Sequence, residues 1–295
     1  MSVLEVNELH KYYGRIKALQ GVSFNVPKGS VFGILGPNGS GKTTLLGIIT
    51  DILKPTRGSY RLFDEEPTEQ YRRQIGTFLE TPNFYHYLSA VQNLEVAAAI
   101  KKRGAQDIDR VLQIVNLHQR RDSKFSTYSL GMKQRLAIAS CLLGDPDVLI
   151  LDEPTNGLDP VGIAEIRELI RRLRQEGKTI IMASHMLDEV EKVCTHMVIL
   201  KKGEVIVSGK VDEILAHEDI VELGAPEMAS LDNAVRLLPG VSQVKQEDGY
   251  VQVYFPVGTA DLSVINRQLQ EKGIYLNHLM LKKKSLESKF FELTN

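Results

Sequence analysis

The stretch GPNGSGKT, residues Gly36 to Thr43, decides the fold of this 295-residue chain. The apolar run VFGIL (31–35) precedes it and the apolar-periodic segment TTLLGIITDIL (43–53) follows, which predicts a loop between a buried strand and a helix. Glycines let successive backbone N–H groups turn toward phosphate oxygens, and a helix N-terminus adds a favourable dipole. The stretch therefore predicts a phosphate-binding loop, and its flanking strand and helix disfavour an ordinary glycine-rich turn.

Two side chains of this loop are predicted to bind a nucleoside triphosphate and its metal. Lys42 would reach the β- and γ-phosphates, and the Thr43 hydroxyl would bind Mg²⁺. The rest of the loop offers backbone N–H groups and small polar side chains. The further candidate ligands are Gly36, Asn38, Gly39, Ser40, Gly41 and Thr44.

A pair of carboxylates ends the second apolar run, DVLILDE (147–153). Burying two adjacent carboxylates at the end of a hydrophobic strand is costly unless something binds them. We expect Asp152 to bind Mg²⁺ and Glu153 to hold a water molecule. The alternative, a strand that simply leads into an acidic turn, is less favoured because a phosphate-binding loop is present.

From residue 3 to residue 210 the chain resembles an ATP-binding cassette (ABC) ATPase. YSLGMKQR (128–135) is similar to the signature sequence of that family, with Ser129 and Gly131 in place and a helix predicted to follow. Leu130 and Met132 stand where the family has glycine and glutamine. Both changes keep the serine hydroxyl and the helix N-terminus that would face a phosphate.

Three further segments carry the resemblance. Residues 156–159 (NGLD) resemble the D-loop, which implies that Asp159 belongs to the nucleotide site. His185, after the predicted strand TIIMAS (179–184), resembles the switch histidine of the family. Tyr13, in KYYGRIKAL (11–19), matches the aromatic residue on which the adenine stacks; Tyr12 is a rival for that role, and packing of Tyr13 on a sheet is the alternative.

Glu80 departs from the family pattern. The family has glutamine after the strand corresponding to IGTFL (75–79), where it touches Mg²⁺ beside the docked membrane subunit. The resemblance implies that Glu80 takes part in catalysis and metal binding, and glutamate here resembles the subgroup that exports antimicrobial peptides such as bacitracin and lantibiotics. The aromatic residues Phe84, Tyr85 and Tyr87 follow, either as part of a groove for the membrane subunit or as core of a helical subdomain.

The predicted fold is α/β, a P-loop NTPase of the ABC type with a second, smaller domain. Residues 1–214 form the ATPase domain, which starts with the short strand-like runs VLEVNELH (3–10) and GVSFNV (21–26) and carries a helical subdomain over about 85–145. Residues 215–295 read as strand–helix–strand–strand–helix–strand, the pattern of a small ferredoxin-like module.

The resemblance implies an ATPase that uses ATP and Mg²⁺ and powers transport, with export of a drug, peptide or lipid-like substrate. Two such subunits, identical or different, would sandwich each nucleotide between the phosphate loop of one and the signature of the other. Separate membrane permease subunits would hold the pair at the inner face of the cell membrane. An assembly ATPase without a membrane partner and a non-enzymatic binding module are the alternatives.

Composition excludes other classes. The formal net charge of −1 offers no general attraction to nucleic acid, which we do not expect as a partner. No segment approaches the roughly 20 consecutive apolar residues that a membrane-spanning helix needs. Hydrophobic residues at 43% and charged residues at 25% are typical of a globular chain with a sizeable core.

Overall fold

The computed structural model describes residues 2–66, 68, 74–79, 82–215, 219–247, 249–282 and 290. The contacts divide the chain into two units, residues 1–209 and 210–295. Each unit is described by itself below.

The first unit is built on a six-stranded sheet with the strand order β5-β6-β7-β3-β8-β9. The pairs β5–β6, β6–β7, β7–β3 and β3–β8 are parallel, and every residue of β3 and β6 is buried, as expected for parallel strands covered on both faces. The described strands of this unit are β1 (Ser2–Tyr13), β2 (Ile16–Pro27), β3 (Val31–Leu35), β4 (Arg57–Leu62), β5 (Ile75–Phe78), β6 (Val148–Asp152), β7 (Thr179–Ser184), β8 (His196–Lys201) and β9 (Glu204–Lys210).

A second, antiparallel sheet has the order β2-β1-β4. The prediction of short separate runs was wrong here, because β1 and β2 are 12 residues each and form one long hairpin with its turn at Gly14. Register shifts in the β1–β2 pairing interrupt the apolar–polar alternation, so the sequence pattern underestimates the strand lengths. Phe24 of β2 stacks on Phe32 of β3, with ring centroids 5.3 Å apart, in the core shared by the two sheets.

The helices of the first unit include the predicted helical subdomain. Helix α2 begins with a capping box in which Ser89 and Gln92 satisfy each other's backbone N–H groups. The helix after the phosphate loop ends at Ile49, earlier than the apolar pattern suggested, and Asp51 just beyond it has a left-handed φ of 61°. The described helices are α1 (Lys42–Ile49), α2 (Ala90–Lys101), α3 (Ile108–Ile114), α4 (Leu130–Leu142), α5 (Pro160–Gln175) and α6 (Leu187–Val193).

The second unit confirms the predicted strand–helix–strand–strand–helix–strand order. Its antiparallel sheet has the order β11-β12-β10-β13, which is the ferredoxin-like arrangement. Leu231 and Leu269, from the two longer helices, pack into a core with Val221 and Val253 on one face of the sheet. Its described elements are α7 (Val211–Leu215), β10 (Asp219–Gly224), α8 (Met228–Val235), β11 (Gln243–Glu247), β12 (Tyr250–Phe255), α9 (Leu262–Glu271) and β13 (His278–Lys282).

Candidate functional site

The phosphate loop joins β3 to α1, as predicted, and its glycines are needed where it passes other backbone. Gly36 has φ of 155°, and a methyl group added there would lie 2.4 Å from the carbonyl oxygen of Leu200. Gly41 has φ of 107°, and an added methyl would lie 2.6 Å from the carbonyl oxygen of Ala18. Both positions therefore exclude a side chain on steric grounds.

Lys42 lies at the centre of the loop and is only 7% exposed. Its Nζ donates to the carbonyl oxygens of Gly36 at 2.7 Å and Pro37 at 3.4 Å, and it lies 3.9 Å from Oε1 of Glu153. Burial lowers the pKa of the Lys42 ammonium, while the nearby Glu153 and Asp152 act in the opposite direction. An anion in the loop would add to that opposing effect and favour the charged lysine.

The two carboxylates at the end of β6 face different surroundings. Asp152 is 4% exposed and ends the buried strand. Glu153 has a left-handed φ of 48° that turns the chain out of the sheet, and its backbone N–H donates to the carbonyl oxygen of Ala183 at 3.0 Å. Its Oε2 lies 2.9 Å from Nδ1 of His185 and accepts from the His185 backbone N–H at 3.4 Å. Glu153 is thereby held between a lysine and a histidine.

A cavity of about 1100 Å³ opens over the loop and the carboxylates. Ser40 in its wall is 2% exposed, and its Oγ has no hydrogen-bond partner among the described residues, so a phosphate oxygen would fit there. The predicted site residues that line the cavity are Tyr13, Asn38, Gly39, Ser40, Gly41, Lys42, Thr43, Thr44, Asp152 and Glu153.

The remaining predicted residues lie around the cavity rather than in its lining. His185 reaches it through Glu153, and Gly36 through Lys42. Within the described part of the chain, three predicted residues do not line the cavity: Ser129, Gly131 and Asp159. Glu80 lies outside the described residues, so its predicted role stays a prediction.

Tyr13, rather than Tyr12, lies in the cavity wall. Tyr13 is 45% exposed, with Nζ of Lys11 lying 5.1 Å from its ring centroid. The Tyr12 hydroxyl instead contacts Nδ1 of His10 at 3.0 Å. The geometry therefore favours Tyr13 as the partner of a flat aromatic base.

Ser129 and Asp159 both cap helices. Ser129 Oγ accepts from the Met132 backbone N–H at 3.3 Å at the start of α4, and Asp159 Oδ1 accepts from the Gly162 N–H at 3.0 Å at the start of α5. Both satisfy backbone donors of a first helical turn. A capping role is thus established for each within its own chain.

Several lining residues were not selected from the sequence. Lys202 lies in the turn between β8 and β9, which the neighbouring Gly203 holds against the phosphate loop through a hydrogen bond from its N–H to the Ser40 carbonyl at 3.0 Å. Leu130 and Gln134 lie one turn apart on α4 and also line the cavity. The helical spacing of the latter two is a signal that the sequence does contain.

A second cavity of about 460 Å³ lies beside the helical subdomain. Phe84 and Tyr85 line it, while Tyr85 and Tyr87 are largely exposed. Phe84 packs edge-on against the buried Phe125 at 5.3 Å. Phe84 therefore contributes to the subdomain core as well as to the groove, and the two tyrosines contribute to its surface.

Among the described residues, no helix combines the length and apolar character that a membrane crossing requires.

Comparison with known proteins identifies the family. The protein-family model described as ABC transporter matches residues 19–156 of this chain. The bacitracin transport ATP-binding protein BcrA of Enterococcus faecalis is 32% identical over 299 residues, covering 99% of this chain and 96% of the relative. The chain belongs to the ABC transporter ATP-binding proteins.

Two further comparisons cover 75% and 70% of this chain. The lantibiotic transport ATP-binding protein SrtF of Streptococcus pyogenes is 40% identical over 221 residues, covering 75% of this chain and 95% of the relative. The dimeric post-hydrolysis structure of the ATP-binding cassette MJ0796 bound to ADP and Pi has a TM-score of 0.62 and 28% identity, covering 70% of this chain and 98% of that one. The predicted family and fold class are confirmed.

Membership of this family establishes the activity of the chain. This ATP-binding subunit is an ATPase that powers transport through separate membrane subunits. ABC cassettes bind ATP and ADP, form dimers and work with membrane permeases.

Proposed function

We propose that the subunit binds ATP with Mg²⁺ in the large cavity and hydrolyses it with Glu153 as the general base. The observation that carries the proposal is the placement of the Glu153 carboxylate, within 2.9 Å of His185 and 3.9 Å of Lys42, at a cavity lined by the phosphate loop. A carboxylate so placed can accept a proton from a water molecule aligned with the γ-phosphate.

The donor set fits both ligands. The loop forms a cradle that glycines keep open, Ser40 Oγ is an unused donor, and Tyr13 offers a ring face for adenine. Thr43 and Asp152 would hold Mg²⁺, since a hydroxyl and a carboxylate are ligands that this ion prefers. When bound, the ion neutralises charge on the phosphate oxygens.

The side chains of this chain divide the remaining work. Lys42, aimed by the carbonyl of Gly36, binds the β- and γ-phosphates and stabilises charge on the transferred group. His185 orients Glu153 and contacts the γ-phosphate, and Glu153 takes the proton of the attacking water. Glu80 is proposed to assist at the metal.

The complete site is proposed to form between two subunits. Ser129, Gly131 and Asp159 do not line the described part of this chain's own cavity, and the related MJ0796 cassette is a dimer with ADP and Pi. ATP would join the phosphate loop of one subunit to the Ser129 end of α4 in the other. Loss of the γ-phosphate removes the shared ligand and shifts the pair toward the open state.

The groove beside α2 supports a membrane partner. We infer that a helix of the permease lies across Phe84, Tyr85 and Tyr87, since aromatic residues at a groove that has both polar and apolar lining suit an amphipathic helix. The subunit would then lie on the cytoplasmic face of the membrane, held by the permease. Residues 215–295 would form an accessory domain of the subunit.

The proposed substrate class is a peptide antibiotic or similar amphipathic compound, exported from the cell. The support is the likeness to BcrA and SrtF, named for bacitracin and lantibiotic transport. Cells that lack this subunit should become more sensitive to such a peptide, and the gene should restore resistance while its Glu153→Gln version should not. Unchanged sensitivity to peptide antibiotics, with a changed response to another class of compound, would contradict the substrate.

The membrane partner is tested by capture. The Glu153→Gln protein is recovered with ATP from gently solubilised native cells, and the proteins that accompany it are identified. A multi-helix membrane protein supports the transporter assembly. Partners without any membrane segment, from cells whose membrane fraction is demonstrably recovered, would favour an assembly ATPase instead.

A further inference from the structure

The start of α4 and the turn after β6 touch through two reciprocal leucine–glycine contacts. A methyl group added at Gly157 would lie 3.2 Å from Cδ2 of Leu130, so the Leu130 side chain lies directly over that glycine. A methyl added at Gly131 would lie 3.8 Å from Cδ2 of Leu158, so the Leu158 side chain lies in the same way against the start of α4. Each segment thus places one leucine side chain in the space beside a glycine of the other segment.

Leu130 lines the large cavity and is only partly covered in the free subunit. It is 43% exposed, and it stands where the family has glycine. Its contact with Gly157 is specific, because Gly157 has φ of 74°, a conformation that favours glycine and leaves no side chain in the way.

The turn beneath Leu130 leads directly to Glu153. The Asn156 N–H donates to the Glu153 carbonyl at 3.1 Å, and the Leu158 N–H donates to the Thr155 carbonyl at 3.3 Å. Residues 154–157 form continuous turns, closed at one end by the Glu153–Ala183 hydrogen bond and at the other by the Asp159 cap of α5. Gly157 therefore lies in a hydrogen-bonded turn that begins at Glu153 rather than in a loose loop.

The geometry points to Leu130 as a positioning residue that acts on the Glu153 of its own chain. This inference rests on the proposed composite site, in which Ser129 and the first turn of α4 bind the γ-phosphate held by the other subunit. Binding of that phosphate sets the start of α4, Leu130 transmits its position to Gly157, and the turn aligns Glu153. Occupancy of one site thereby controls hydrolysis at the other.

The direction of action separates this role from that of Ser129. Ser129 serves the nucleotide of the partner subunit, whereas Leu130 serves the base of its own subunit. A dimer in which the two chains differ can distinguish the two, because its two sites then contain different residues.

Mixed dimers with a single working base provide the test. One chain carries Glu153→Gln and a first affinity tag, the other keeps Glu153 and carries a second tag, and dimers formed with ATP are purified on both tags. Leu130→Gly is placed either on the chain that keeps Glu153 or on the chain that carries Glu153→Gln. Steady-state ATP hydrolysis is compared with the mixed dimer that lacks Leu130→Gly.

We expect kcat to fall about fivefold when Leu130→Gly is on the chain that keeps Glu153, and to change less than about twofold when it is on the other chain. The reverse pattern would show that Leu130 acts on the partner's site, and equal rates in all three dimers would show that the contact is packing alone. Either result overturns the inference. Failure of the composite site itself is distinct, since the reference mixed dimer would then not form with ATP.

Two matched variants guard against a loss of structure. Leu130→Met on the chain that keeps Glu153 retains an apolar side chain over Gly157 and should restore the rate. Val161→Ala, another exposed apolar side chain near the start of a helix, should leave the rate unchanged. A loss with Leu130→Met equal to that with Leu130→Gly would contradict a positioning role.

Discussion

At the scale of single residues, the site depends on how Glu153 is held. Its left-handed backbone takes it out of β6, its N–H is bound by Ala183, and its carboxylate contacts His185. A non-glycine residue with positive φ is strained, and such strain persists where the surrounding structure enforces it. Asp152, one residue earlier, stays in the sheet and is buried, so the two adjacent carboxylates have different surroundings.

Replacing Glu153 by Gln keeps the shape of the side chain and removes its ability to accept a proton. We expect kcat for ATP hydrolysis to fall by about 10²-fold or more, because general-base catalysis contributes about 10²–10⁴-fold. ATP affinity should stay within about threefold of wild type, since an uncharged amide removes no phosphate contact. Single-turnover hydrolysis and equilibrium ATP binding measure the two effects, and a wild-type hydrolysis rate would show that another group is the base.

At the scale of elements, helix starts combine stability with function. Ser129 and Asp159 cap α4 and α5, and these caps hold the signature segment and the turn after β6 in place. Ser89 caps α2 in the same way. It is remote from the phosphate loop in sequence, and it is not among the described residues that line the large cavity. The same local chemistry therefore occurs with and without a proposed nucleotide role.

Ser129→Asp separates capping from phosphate binding. Aspartate caps a helix as well as serine does, so the free energy of unfolding should change by less than about 0.5 kcal/mol. Its negative charge would face a phosphate in the composite site, so dimer formation with ATP should be lost. Urea unfolding and sedimentation with ATP check both, and Ser89→Asp is the control that should keep stability and dimer formation alike. A stable, dimer-forming Ser129→Asp protein would limit Ser129 to capping.

The second unit's sheet has a buried polar cluster on the face opposite its apolar core. Glu222 in β10 is buried and accepts hydrogen bonds from Lys282, from His278 at 3.1 Å and from Gln252 at 3.5 Å. These donors, Lys282 first, hold the pKa of Glu222 below its ordinary value despite burial. Gly224 lies two residues after Glu222 in β10. Its lack of a side chain leaves room for the rings of Tyr250 and His278, whose centroids lie 4.5 Å apart.

Glu222→Gln should destabilise the second unit in a pH-dependent way. A depressed folded-state pKa means that ionised Glu222 stabilises the fold above its unfolded pKa, and that this contribution disappears as the pH falls through the folded pKa. We expect a loss of about 2 kcal/mol at pH 7 and little difference from wild type at pH values below the folded pKa. Hydrogen exchange of the β10 amides at several pH values measures it, and a pH-independent difference would contradict the charged role of Glu222.

At the scale of the whole molecule, the ATP-binding subunit is proposed to be half of a machine. Its own cavity is lined by the phosphate loop, the carboxylates and the aromatic residue, while Ser129 and Asp159 are not among the described residues of the lining. A dimer held by two nucleotides then forms only when each phosphate loop binds ATP. The affinity of the two subunits for each other therefore depends on how tightly each binds ATP.

Lys42→Ala should abolish that assembly. In a Glu153→Gln background, the chain with Lys42 should sediment as a dimer with two nucleotides per pair when ATP is present and as a monomer without it. Adding Lys42→Ala should leave a monomer at the same ATP concentration, because the buried ammonium no longer binds the phosphates. Lys28→Ala, which changes an exposed cationic residue that is not in the described cavity lining, is the control expected to retain the dimer. An ATP-dependent dimer of the Lys42→Ala chain would contradict the proposed role.

The sequence by itself determined the family, the α/β fold, the buried strand of residues 31–35 and the ferredoxin-like order of the second unit. These follow from contiguous residues, since a glycine-rich loop, an apolar run or a helical period is complete within a few turns of chain. It misjudged the long hairpin of β1 and β2, where register shifts that depend on pairing obscure the alternation.

Only the tertiary structure decided which distant segments share the cavity. Tyr13, Glu153 and Lys202 come together because the end of β1, the end of β6 and the turn after β8 converge on the phosphate loop. The same convergence places Leu130 on Gly157, a contact between segments 27 residues apart that no local pattern encodes. Local chemistry is written in neighbouring residues, whereas a site is a set of distances that packing of the whole unit determines.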